Sequence, residues 1–81
     1  MEHHSDQRSL TDMKEGQTGV IVSVQGGRMA AKRLADMGLT PGTEIKVTRR
    51  TLFKGPIQIE ACGSRLVLGR GLASGIIVET K

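Results

Sequence analysis

Aromatic residues are almost missing from this chain: Phe53 stands alone, with no tryptophan and no tyrosine. Small barrels hold single-stranded nucleic acid on aromatic platforms where the bases stack, and a single platform makes a poor track. Cysteine is as scarce. Cys62 has no partner for an internal disulfide, which agrees with a reducing compartment. The two histidines, His3 and His4, sit among the first residues, so the body of the chain contains no Ser–His or Cys–His pair for nucleophilic catalysis. Asp12, Asp36, Glu44, Glu60 and Glu79 are spread over outward positions, which argues against a carboxylate pair for acid–base work or a hard-metal cage. No apolar run approaches the roughly 20 residues that cross a bilayer, and no signal-peptide core stands near the start. The expectation is a cytoplasmic protein that is not an enzyme, with no cofactor and no metal site. His3, His4 and Cys62 are the imidazole and thiol candidates should a metal bind weakly.

What is present is glycine and aliphatic side chains. Eleven glycines at turn-like intervals and an apolar content of 37% predict many short strands joined by tight turns. At 81 residues the chain makes one domain with room for one thin core. Its net charge of +4 suits an anionic partner or simply a solvated surface, since Lys32-Arg33 and Arg49-Arg50 are the only adjacent basic pairs.

The organising stretch is Arg28 to Gly42. At 100° per residue Ala30, Ala31, Leu34 and Met37 share one face, with Arg28, Lys32, Arg33 and Asp36 opposite, so a helix over about 28–37 is expected. Gly38 stops it in the left-handed conformation, and Pro41-Gly42 fill the centre of a type II turn. Residues 1–9 read as a flexible polar tail, and residues 10–81 as the domain. Thr11 is placed to cap one helical turn over Asp12 to Lys14, with Met13 beneath it. Gly16 and Gly19 bracket a turn before a strand in which Val20, Val22 and Val24 alternate with Ile21, Ser23 and Gln25.

After the turn at 41–42, Ile45 and Val47 point inward, with Lys46, Thr48 and Arg50 outward. A loop at Lys54-Gly55-Pro56 precedes a return strand with Ile57, Ile59 and Ala61 inward. Cys62-Gly63 suits a primed hairpin turn, and Leu66 and Leu68 face in on the next strand. The glycine-rich run from Gly69 to Gly75 superficially resembles a dinucleotide loop, but a strand follows it where a helix is required. A helical turn at Leu72 to Ser74 leads to the last strand, Ile76 to Thr80. The fold class is mostly β: a small SH3-like barrel of five short strands with one α-helix and one or two short helical turns.

The ordered set Leu10, Gly16, Gly19, Ile21, Arg33-Leu34, Met37-Gly38-Leu39, Pro41-Gly42, Ile45, Val47, Gly55-Pro56, Ile59, Gly63, Leu68, Ala73, Ile76 and Val78 resembles the FeoA family of small ferrous iron transport accessory proteins. The resemblance runs from about Leu10 to Thr80. It implies a cytoplasmic SH3-like domain that works with a ferrous iron permease carrying a GTP-binding domain, a FeoB-type membrane protein. The chain would then be peripheral to the membrane through that partner alone. The same kind of domain resembles the C-terminal module of iron-dependent repressors, which leaves a basic nucleic-acid-binding or iron-regulator-type domain as the alternative.

Met29, Leu39 and Phe53 are large apolar groups at positions read as exposed. With Lys32, Arg33 and Lys54 beside them they form the expected partner surface. No nucleic-acid partner is expected, and the free edge strand of a small barrel leaves self-association open.

Overall fold

The computed structural model describes residues 6–51 and 55–80. Among these residues six strands are present: β1 (Gln7–Ser9), β2 (Thr18–Val24), β3 (Glu44–Arg50), β4 (Ile57–Ala61), β5 (Ser64–Leu68) and β6 (Ile76–Thr80). A 3-10 turn covers Leu10–Asp12, helix α1 covers Gly27–Asp36 and helix α2 covers Arg70–Ser74. All pairings are antiparallel, in the order β1-β6-β2-β3-β4-β5. The mostly β barrel with one main helix and two short helical turns is as expected, with six strands in place of five. Among the described residues, no helix is long and apolar enough to cross a membrane.

The extra strand lies inside the stretch expected to be a flexible tail. Gln7, Arg8 and Ser9 carry no apolar periodicity, and their order comes from backbone pairing with Glu79, Val78 and Ile77. The folded domain therefore begins before Leu10. Ser9, not Thr11, caps the following turn: its hydroxyl accepts from the Thr11 N–H at 3.2 Å. That shift by two residues drops Leu10 fully into the core, with Met13 buried beside it.

β2 departs from simple alternation. Gly19 and Ile21 are buried while Val20 and Val22 are half-buried. The register against β6 then shifts between Ile21 and Ser23, so Val24, three residues after Ile21, again packs on the core. Gly19 belongs to the strand, not to a turn. A Cβ there would lie 2.5 Å from Val78 Cγ1 and 2.8 Å from the Glu79 carbonyl, so the two strands approach only because this residue has none.

The β3–β4–β5 meander follows its pattern closely. Ile45, Val47, Ile57, Ile59, Ala61 and Leu68 are buried, and with Leu34, Ile76 and Val78 they form one continuous core. Each such aliphatic side chain contributes on the order of 1.5–3 kcal/mol through burial. Cys62 and Gly63 have φ of 54° and 76°, the two positive values of a type I′ turn. Arg50 corrects the expectation of an outward side chain. A bulge between Val47 and Arg49 turns β3, and the Arg50 guanidinium donates to the carbonyls of Met13 at 2.7 Å and Thr11 at 2.8 Å. Its backbone N–H donates to Glu15 Oε2 at 2.9 Å, so one residue pins the segment after β1 to the far end of β3.

Candidate docking surface

Helix α1 presents two chemically different sides. Leu34 is buried and Ala30 and Ala31 are half-buried against the barrel, while Arg28, Met29, Lys32, Arg33 and Asp36 are exposed. The outer face therefore carries three cations, one carboxylate and one methionine. Met29 is 80% exposed, the highest exposure among the large exposed apolar side chains described. Burying such a group against a partner removes apolar surface from water, and the cations around it favour an acidic counterpart.

The helix is held rigidly at its C-terminal end. Met37 has left helical geometry as the cap residue, which leaves it 37% exposed in place of the inward position that periodicity gave it. Gly38, with φ of 83°, donates to Ala35 O at 2.9 Å, and Leu39 donates to Leu34 O at 2.8 Å. These two bonds are the Schellman motif. The apolar contact that accompanies the motif is made by Leu39 and Leu34, both buried in the core. Next, Thr43 N–H returns to Thr40 O at 3.0 Å around Gly42, whose φ of 97° fits the type II turn expected there. Gly42 N–H donates to Ile21 O and Ile21 N–H to Thr43 O, tying the turn to β2.

The expected partner surface is only partly assembled. Met29, Lys32 and Arg33 come together on the outer face of α1. Leu39 is 1% exposed and is no surface anchor, because the Schellman geometry folds it back under the helix. Phe53 and Lys54 lie outside the described residues. Two exposed residues stand outside the expected partner surface: Arg28, which the helix angle had already put on the polar face, and Val67, 65% exposed on β5. Strand alternation was the available signal for Val67, since Leu66 and Leu68 inward send it outward.

An open depression of about 370 Å³ lies elsewhere, lined by Thr18, Glu44, Lys46, Glu60, Cys62 and their neighbours. Among the described residues, no group of three or more His, Cys, Asp or Glu side chains converges to hold a metal ion.

Comparison with known proteins bears on the family and the fold. The FeoA domain family matches residues 8–80. A Methanocaldococcus jannaschii protein named "Putative Fe(2+) transport protein A" is 39% identical over 70 residues, covering 86% of this chain and 83% of that protein. The crystal structure of an iron uptake regulatory protein, FeoA, superposes with a TM-score of 0.84 at 37% identity, covering 93% of this chain and 97% of the other. The FeoA protein of Chlorobium tepidum superposes at 0.80 with 32% identity, over 89% and 69% of the two chains. A manganese-dependent transcriptional repressor superposes at 0.87 with 21% identity; this chain covers 44% of it, and the likeness is one of fold. With a match across nearly all of its described length, this chain belongs to the FeoA family, whose members are accessory proteins of ferrous iron transport.

Proposed function

We propose that this chain acts in the cytoplasm as a non-enzymatic accessory of ferrous iron uptake. It docks through the outer face of α1 onto the cytoplasmic part of a GTP-binding permease of the FeoB type and biases that protein's nucleotide or transport state. The observation that carries this reading is Met29, 80% exposed and framed by Arg28, Lys32 and Arg33 on a helix whose end is locked to the core. A rigid helix with an apolar centre and a charged frame loses little freedom on binding, which favours a specific contact.

The SH3-like shape does not suggest proline-rich ligands. Recognition of polyproline segments uses grooves lined with aromatic side chains, and the sequence has one aromatic residue.

The test is a titration of the full chain with the permease's isolated GTP-binding domain and, in parallel, with short DNA and RNA, each at low and near-physiological salt. Binding to the GTP-binding domain that survives the higher salt supports the proposal, because an anchored apolar contact is screened far less than phosphate contacts. Tight nucleic-acid binding at near-physiological salt, with none to the GTP-binding domain, contradicts it and supports the regulator-type alternative.

A further inference from the structure

The sheet has two edges, and they differ. β1 is three residues long; its Arg8 is paired with Asp6 at 2.7 Å, and the Ser9 hydroxyl donates to the Ser74 carbonyl at 3.0 Å. β5 is five residues long and follows a tight hairpin, with Ser64 opposite Ala61 across a two-residue turn.

Residues flanking such a turn form a hydrogen-bonded pair, and pairs alternate from there. Ser64, Leu66 and Leu68 therefore direct their backbone groups toward β4. Arg65 and Val67 direct theirs away from it, on the side where the sheet order ends. Val67 also exposes 65% of its surface on the outer face of the sheet.

We propose that β5 is the pairing edge for a second copy of this chain, joined antiparallel about a two-fold axis through Leu66. In that register Arg65 faces Val67 of the other copy, twice over. All four outward N–H groups meet all four outward carbonyls, since the edge offers just these two residues at a spacing of two. Shifting the register leaves some of them unmet.

The side chains agree with a second copy over an acidic peptide. Arg65 sits opposite Glu60 on its own sheet, so each copy brings a carboxylate next to its cation. The aliphatic stem of Arg65 is placed to cover Val67 of the other copy, the one large apolar group the edge exposes. The device that normally guards a sheet edge, a lone charge, is here beside its own counter-charge. The resulting dimer would carry two α1 faces.

Sedimentation of the full chain from micromolar to millimolar concentration reads the assembly, and a concentration-dependent dimer is expected. Val67→Pro removes an outward N–H and no bond to β4, and Val67→Lys places a cation beside Arg65 of the other copy. Both are expected to sediment as monomers with thermal midpoints close to the parent's.

In a Cys62→Ser background, copies carrying Arg65→Cys are expected to cross-link with copies carrying Val67→Cys. Neither should cross-link with its own kind, because like positions lie about 8–9 Å apart in Cα, beyond disulfide reach. A monomer at millimolar concentration, a dimer indifferent to both Val67 variants, like-with-like cross-linking, or capture of an extended acidic peptide by β5 in preference to a second copy would each overturn the proposal.

Discussion

Leu39 donates its backbone N–H to the carbonyl of Leu34 at 2.8 Å, and the two side chains are buried in the same core. The residue between cap and contact, Gly38, makes that closure with φ of 83° and has nothing within 4 Å of where a Cβ would stand. Gly38→Ala therefore tests conformation alone, with no clash. We expect a loss of about 1–2 kcal/mol, the cost of a left-handed L-residue, and a smaller loss for Gly38→Asn, both read from urea midpoints.

The two sides of α1 should respond in opposite ways. Leu34 is fully buried, and Leu34→Ala should cost about 2–5 kcal/mol by leaving a cavity under the helix. Met29→Ala on the outer side should change stability by no more than about 0.5 kcal/mol. Thermal unfolding of the two variants separates a structural face from a free one.

Arg50 holds the Thr11 and Met13 carbonyls with one guanidinium, and truncation leaves both without that donor. Arg50→Ala should lose roughly 2 kcal/mol, in the range of hydrogen bonds to charged groups. The Leu10–Met13 backbone should exchange its amide protons faster than the β3–β4 ladder does. Equal acceleration everywhere would show that Arg50 has no local role.

Much of this molecule was legible because aliphatic alternation and turn chemistry agreed. Ile45, Val47, Ile57, Ile59 and Ala61 gave the meander its inner face, and Cys62-Gly63 its type I′ turn. The failures share a cause: backbone pairing or bulges that side-chain patterns do not record. β1 has no pattern and is placed by β6; Val24 and Arg50 each lie beyond a register shift that resets which way side chains point. On α1 the helix angle put Met29 on the outer side, where it is exposed. Leu39 was misplaced because the angle count ends where the helix does, and the Schellman closure then sets its direction.

The attachment of β1 should depend on pH. Hydrogen bonds from Arg8 and Thr80 hold the Asp6 carboxyl below the usual carboxylate range. A folded-state value below the unfolded one gives stability that is present above the unfolded value and is lost as pH falls through the folded one. Amide exchange at Gln7–Ser9 should thus rise selectively below about pH 4, and Asp6→Asn should remove that dependence.

The most direct test of the central claim is the affinity of three proteins for the permease's isolated GTP-binding domain: the parent chain, Met29→Asp, and Lys14→Gln, an exposed change away from α1. Docking through the α1 face predicts that Met29→Asp weakens binding by at least about tenfold while Lys14→Gln stays within about twofold. Unchanged affinity for Met29→Asp, in a variant that melts like the parent, would contradict it.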